Sequence, residues 1–507
     1  MNIQPAALHD FYKADHRRQY PEGTQQVVSN FTPRGSRLEG VNHMVWFGLQ
    51  YFIKEYLIKQ WNEGFFQRPK AEVVGKYKRR MDNALGKDMV SMDHLEQLHD
   101  YGRMPLEILG LPEGTLVPMG VPPFLIFNLE REPWAFWLVN YMETLLSCVV
   151  WMASNSATIA HEYRKIFEEY AILTGCDPEL TQFQGHDFSF RGMPGVEAAC
   201  MSGAAHLLSF VGTDTVPAID FLEEYYGADS DKELVGVSVP ATEHSVMCMG
   251  TKADEIGTFR RLMSIYPTGI LSVVSDTWDY WKVLTETLPQ LKEEILARDG
   301  KLVIRPDSSP KTPLEIICGD PEAPLGSPEE LGSVRLLWYT FGGTVNDRGY
   351  KMLDEHIGLI YGDSITRDLA QAINERLMDM GFASLNWVAG IGSFTYQYNT
   401  RDTFGSAMKA TYGVVNGEPR EIFKDPKTDS GLKKSAKGLI AVFRGEDGEL
   451  YKKDQATWDE VELCEFEAIF TDGKLVREFT LAEIRKTLAD ARGEAIRNAN
   501  HLTHAIQ

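Results

Sequence analysis

Residues 234–246 read LVGVSVPATEHSV, an apolar run that stops at Pro240 and then sets Glu243 beside His244. An imidazole next to a carboxylate at the end of a buried-looking strand is a candidate for catalysis. One histidine decides nothing, since most serve a structural bond, so its surroundings matter. Six other short apolar runs end on polar groups that a core strand would not want: HDFSFRG (186–192), FVGTDTV (210–216), ILSVVSDTWD (270–279), KLVIRPDSS (301–309), IGLIYGDSI (357–365) and NWVAGIGS (386–393). With their neighbours they offer guanidinium and ammonium groups (Arg191, Arg305, Arg401, Lys409) and carboxylates suited to ribose hydroxyls or a metal (Asp307, Asp363). The turn AGIGS adds backbone N–H groups that can approach a phosphate. A phosphorylated sugar is the ligand that would use all of these.

Most of these endings recur about thirty residues apart, the length of a strand plus a returning helix. The intervals hold amphipathic stretches, one beginning at Asp276 and another at DLAQAINERLMDMG (368–381). The pattern predicts a parallel α/β barrel or sheet, in which the C-terminal strand ends build the active site. A single Asp or Ser after a strand reads equally well as the N-cap of the next helix. Seven in series, several carrying Arg, Asp or His together, exceed what capping needs. The flanks differ: residues 1–160 mix strands and helices, 161–405 hold the strand–helix alternation, and 406–507 read as β with turns followed by a helix, TLAEIRKTLADARGEAIRNANHL.

The chain has 507 residues, enough for about two to four domains. Its 72 acidic residues against 51 Lys and Arg give a net charge of −21, which opposes nucleic-acid binding. The densest basic run, KYKRR (76–80), reads as the solvated face of a helix. Six scattered cysteines without a CxxC pair fit reduced thiols in a cytoplasmic protein. Asp10 interrupts the apolar core that a signal peptide would need near the N-terminus, so secretion by that route is not expected. Asn140 and Glu143 interrupt the membrane-like segment WAFWLVNYMETLLSCVVWMA (134–153), which is therefore expected to be a buried core or interface helix, with no membrane partner. The sequence lacks GxxxxGK[ST], HExxH and HxH, and GIGS lacks the third glycine and spaced acid of a dinucleotide fingerprint.

The motifs DFYKADHRRQYP, VWFGLQYFIKEYL, HDFSFRG, GTDTV, SVPATEHS, SVVSDTWD, IRPDS, GDS, TRD and FKDP, in this order over nearly the whole chain, resemble those of the nicotinamide phosphoribosyltransferases, in the type II phosphoribosyltransferase group. The resemblance implies an irregular, TIM-like α/β barrel core, a second mixed α+β domain built from both chain termini, and a homodimer with shared active sites. It implies transfer of phosphoribose from phosphoribosyl pyrophosphate to nicotinamide in NAD salvage, with Mg²⁺, and with ATP as co-substrate through phosphorylation of His244. Glu243 and Asp276 would orient that ring. The base would stack between Phe188 and Tyr12 of the other subunit, with Asp214, Arg191, Asp10, Ser238 and Ser272 around it. Arg305, Asp307, Gly362, Asp363, Gly392, Ser393 and Arg401 would hold ribose and its phosphate, and Arg34, Lys409, Lys424 and Lys433 the pyrophosphate or ATP. Mg²⁺ would come with the pyrophosphate, with Asp307 as the nearest protein ligand. The glycosyl transfer needs no protein nucleophile, because the charge developing on the ribose is met by positioning and by neutralising the departing pyrophosphate.

A carboxylate at Asp214 accepts from the amide N–H₂ of nicotinamide and repels the carboxylate of nicotinate, and nicotinate-using relatives typically carry a neutral residue in that motif. Nicotinate phosphoribosyltransferase remains the alternative enzyme, and a non-catalytic binding module on the same fold the alternative class. Four residues depart from the family pattern: Ser393 and Phe394 follow Gly392 where consecutive glycines are frequent, Ser189 stands where glycine is frequent, and Ser364 follows Asp363 where glycine is usual.

Overall fold

The computed structural model describes residues 3–307, 311–362, 364–424 and 436–504. They form two compact units, one of residues 1–158, 222–228 and 399–491, the other of 159–221, 229–398 and 492–507.

The first unit is built on a seven-stranded antiparallel sheet in the order Glu418–Glu421, Ala407–Val415, Thr24–Thr32, Phe124–Asn128, Leu106–Gly110, Glu467–Thr471 and Lys474–Leu475. The early and late parts of the chain meet where Asn30 pairs with Lys409 and Thr32 with Ala407. Val28 and Phe31 are fully buried, and the Phe31, Trp46 and Phe124 rings pack with centroids 5.5 to 6.2 Å apart. Aromatic and β-branched residues of this kind fill a half-buried pleated surface. The 134–153 segment is not one helix. Phe136–Tyr141 ends at Met142, and a longer helix, Glu143–Leu173, restarts at a 47° bend. The break falls where the polar residues take partners: Asn140 accepts from the Ser29 hydroxyl at 2.8 Å and donates to Tyr20 Oη at 3.0 Å, while Glu143 pairs with Lys13. Among the described residues no single helix is long and apolar enough to cross a membrane.

The second unit carries a six-stranded parallel sheet in the order Gly212–Thr213, Gly185–Asp187, Val388–Ile391, Ile357–Tyr361, Leu302–Arg305 and Leu271–Val274. Six of the seven apolar runs thus form strands, each sending its polar ending past the C-terminal edge. The seventh, 237–242, forms no strand, because Pro240 has no N–H to give to a ladder. It instead bonds to both edges of the sheet. Thr213 N–H donates to Val237 O at 2.9 Å on one side, and Ser272 N–H to Pro240 O and Thr242 N–H to Ser272 O, at 2.9 and 3.0 Å, on the other. Helices Val196–His206, Glu255–Ile265, Leu288–Leu296, Pro328–Phe341 and Arg367–Asp379 alternate with the strands. The helix expected from Asp276 starts later, at Tyr280, with Asp279 Oδ1 accepting the Lys282 N–H at 3.1 Å as its cap. Asp276 is engaged elsewhere.

Candidate active site

The strand ends of the parallel sheet gather the expected side chains. Phe188 follows the strand Gly185–Asp187, and its backbone N–H is held by Ile391 O at 2.8 Å. Its ring lies 4.6 Å from that of His186, as two residues on one face of a strand should. A Cβ on Gly390 would crowd the Phe188 ring, coming within 3.0 Å of it, and one on Gly362 would come within 3.1 Å of Asp307 Oδ1.

Asp214 Oδ1 accepts twice, from His186 Nε2 at 2.8 Å and from the Ser238 hydroxyl at 2.6 Å. Partial burial pushes this carboxyl up, but the His186 and Ser238 bonds and the charges of His186 and Arg305 outweigh it and hold it below its ordinary value. It is therefore an anion at neutral pH, with Oδ2 left to accept from a ligand. Behind it His186, Ser238 and Ser272 line a cavity of about 450 Å³ whose walls are otherwise largely apolar, among them Val237, Val303, Ile360 and Trp387. Arg191 is exposed on the turn Phe190–Gly192.

His244 opens the helix His244–Met249 and is 46% exposed, with Nε2 3.0 Å from Asp276 Oδ1. Of the two carboxylates expected to orient this ring, only Asp276 does so. Glu243 accepts from the Ser245 hydroxyl instead, a local side-chain bond that competes for it. Asp276 is 5% exposed, and its Oδ2 accepts the Asp307 N–H at 3.0 Å, which explains why the helix cannot begin there. Arg305 is held by Thr242 O at 2.7 Å from Nη2 and lies 3.7 Å from Asp307 Oδ1, with its Nε buried and short of a hydrogen bond. Gly392 caps the helix Ser393–Gln397, and Ser393 packs where a side chain on Gly192 would collide with its hydroxyl. Ser364 sits at φ +54°, the left-handed region that favours glycine, at the position where the family pattern has one. Asp363 and Lys433 lie outside the described residues.

In the first unit, Arg34 and Lys409 stand at one end of the paired strands Thr24–Thr32 and Ala407–Val415. Arg34 Nε donates to Gly405 O at 2.7 Å, and Asn155 holds the turn before Arg401 through Thr400 O at 3.0 Å. Lys409 Nζ lies 3.5 Å from Glu143 Oε1, the carboxylate that also pairs with the buried Lys13. Asp10 Oδ2 accepts the Thr144 hydroxyl at 2.8 Å, and Tyr12 is 58% exposed. Lys424 is exposed. Among the described residues no three His, Cys, Asp or Glu side chains are grouped to hold a metal.

The sequence reading missed His186, Asp187, Thr242 and Gly390. His186 and Asp187 stand in a quoted motif directly before Phe188, and the period-two rule that puts His186 on the face of Phe188 was the available signal.

Residues 183–468 match the model of the nicotinate phosphoribosyltransferase family, and residues 5–108 that of the nicotinamide phosphoribosyltransferase N-terminal domain. The chain is 54% identical to the nicotinamide phosphoribosyltransferase of Acinetobacter baylyi, covering 96% of this chain and 97% of that one, and 32% identical to that of Xanthomonas campestris, covering 94% and 96%. Its fold is similar to crystal structures of nicotinate-nucleotide pyrophosphorylase from Pyrococcus furiosus (TM-score 0.56, 14% identity, 96% and 95% of the two chains) and of human nicotinic acid phosphoribosyltransferase (TM-score 0.52, 16% identity, 95% and 93%). With strand-end residues in the order of its motifs and a family model spanning more than half its length, the chain belongs to the nicotinate phosphoribosyltransferase family.

Proposed function

We propose that the protein is a nicotinamide phosphoribosyltransferase of NAD salvage, converting nicotinamide and phosphoribosyl pyrophosphate to nicotinamide mononucleotide and pyrophosphate. The observation that carries this reading is the Asp214 carboxylate, held anionic with one oxygen accepting two hydrogen bonds and the other open, on a turn tied by its own N–H to Asp187 O, next to Phe188 in the chain. An amide N–H₂ complements it and a nicotinate carboxylate does not. The names of the relatives agree.

In the reaction the pyridine nitrogen of the base bonds to C1 of the ribose as the C1–O bond to pyrophosphate breaks. The protein's part is to hold the ring on Phe188, to orient its amide on Asp214, and to meet phosphate charge with Arg305; Arg34, Arg401 and Lys409 are further cationic groups suited to phosphate. Asp307, an oxygen donor of 37% exposure, suits Mg²⁺, which binds through one or two carboxylates plus substrate phosphates. Bound there, Mg²⁺ would neutralise the departing pyrophosphate.

His244 is the acceptor of a phosphoryl group from ATP in this reading: a ring nitrogen bonds to the γ-phosphorus, the bond to ADP breaks, and Asp276 supports the positive ring. Counting 237–242 as a stave turns the six-stranded sheet into an irregular seven-stave barrel. A homodimer with shared sites is supported by the exposed aromatic pair Phe11 and Tyr12, at 54% and 58%. The six free cysteines fit a reducing cytoplasm.

The test is product formation from nicotinamide or nicotinate with phosphoribosyl pyrophosphate and Mg²⁺, each with and without ATP. Nicotinamide mononucleotide formed preferentially, and faster with ATP, is the expected result. Preference for nicotinate would overturn the base assignment, and no product from either base would favour a binding module.

A further inference from the structure

We propose that the buried Asp187 carboxylate is a positioning residue for the base, locking together the two turns that carry Phe188 and Asp214; the inference rests on the base site proposed above.

Asp187 is fully buried, at the end of the strand Gly185–Asp187. Its Oδ1 accepts the Ser189 N–H at 2.9 Å, and its Oδ2 accepts the hydroxyls of Thr215 at 2.7 Å and Thr213 at 3.3 Å. The main chain adds a parallel tie, Asp214 N–H to Asp187 O at 2.9 Å, and the Thr213 hydroxyl in turn accepts the Thr215 N–H at 2.9 Å. Each base-contacting residue is thereby bracketed. Phe188 stands between Asp187 and Ser189, and Asp214 between Thr213 and Thr215, with every flanking residue fixed on one side chain.

A bound base would span both turns, its ring on Phe188 and its amide on Asp214. The separation of those two groups therefore sets the fit, and the Asp187 bonds set the separation. A carboxylate is the suitable group because it has acceptor sites only, and all three partners donate. Buried and charge-assisted, such bonds are stronger and more directional than neutral ones. Two neighbouring short strands with only main-chain pairing at their ends would leave both turns looser. A tie of this kind acts on base affinity and selectivity and leaves the phosphate-binding residues, on other strands, untouched.

Thr215→Val removes one donor at constant shape, and Thr215→Ser restores it. Steady-state kinetics with each substrate varied, alongside thermal melting, test the idea. Thr215→Val is expected to raise KM for nicotinamide about ten-fold, the scale of one charge-assisted bond, and to leave KM for phosphoribosyl pyrophosphate within about two-fold. It should also narrow the preference for nicotinamide over nicotinate, and Thr215→Ser should recover both. An unchanged KM for nicotinamide, or equal changes in both KM values with a lowered Tm, would reduce Asp187 to ordinary structure. If Thr215→Val does not fold, Thr213→Val gives the same comparison on the weaker bond. Wild-type turnover of nicotinamide is scored first: if it is present while the variant keeps its KM, this inference alone is overturned. If the wild type uses neither base, both readings fall.

Discussion

His244 Nε2 lies 3.0 Å from Asp276 Oδ1, and the second oxygen of the same carboxylate accepts the Asp307 N–H at 3.0 Å. One nearly buried carboxylate thus couples the proposed phosphoryl acceptor to the strand end expected to hold the ribose phosphate. A phosphoryl group on the ring would alter the charge that Asp276 faces, and the tie passes that change to Asp307 without any large movement. His244→Ala is therefore expected to keep slow transfer and lose its stimulation by ATP. Rates with and without ATP check this, and equal stimulation in the variant would remove the coupling role.

Asp214 Oδ1 is occupied by His186 and Ser238, so selection between bases falls to the remaining oxygen. Asp214→Ser takes away the anion and leaves a group that can donate to a carboxylate. The ratio of kcat/KM for nicotinamide over nicotinate should fall by roughly ten- to a hundred-fold, the range for one hydrogen bond to a charged group. An unchanged ratio would move selectivity to another residue.

The strand ends were legible because a parallel strand buried on both faces is a short apolar run, and a polar group at its tip stands out against it. What escaped depended on contacts distant in sequence. Glu243 is adjacent to His244, yet a serine two residues on captures its carboxylate. Asp276 reads as a helix cap until Asp307, 31 residues later, claims one of its oxygens. His186 and Asp187 looked like the body of a strand because their partners, Asp214 and Thr215, come in the turn after the neighbouring strand Gly212–Thr213. The bend at Met142 likewise follows from Lys13, Tyr20 and Ser29, which no local periodicity links to residues 140–143.

Tyr12 stands 58% exposed beside Lys13, whose ammonium is 5.1 Å from its ring centre and is anchored on Glu143. The segment is held at its base, and the ring, edge-on to His16 with centroids 5.1 Å apart, keeps its exposed side for a ligand. Tyr12→Ala should cost base binding roughly 1 to 3 kcal/mol if the ring stacks as other aromatic side chains do on bases. KM for nicotinamide should report it. If sites are shared, mixing Tyr12→Ala with a barrel-site variant inactive at Arg305 should restore part of the activity, and verified heterodimers without recovery would count against sharing.

Acid sensitivity should come from two buried histidines. His206 donates from Nε2 to Gly212 O at 3.0 Å, so Nδ1 accepts the Tyr396 hydroxyl at 2.6 Å, an arrangement that requires the neutral ring. Burial lowers its pKa to about 4, against the raising influence of Asp187, and burial lowers His94, packed edge-on to Trp137, to about 4 as well. Between pH 6.5 and 4 the unfolded chain binds protons at these rings that the folded chain does not, so stability falls as pH drops through that window and falls no further from this source below it. Burial raises Glu113 to about 7 against bonds from Gln50, Gly48 and Tyr226, which acts in the opposite sense: its contribution is lost as pH rises from about 4.5 to 7. A difference between variants isolates the histidine effect. His206→Gln can donate to Gly212 and accept from Tyr396 but cannot be protonated, so its Tm should drop less than that of the wild type between pH 6.5 and 4, by an amount equivalent to about 2 to 3 kcal/mol. Parallel curves over that window would show that His206 does not control acid stability.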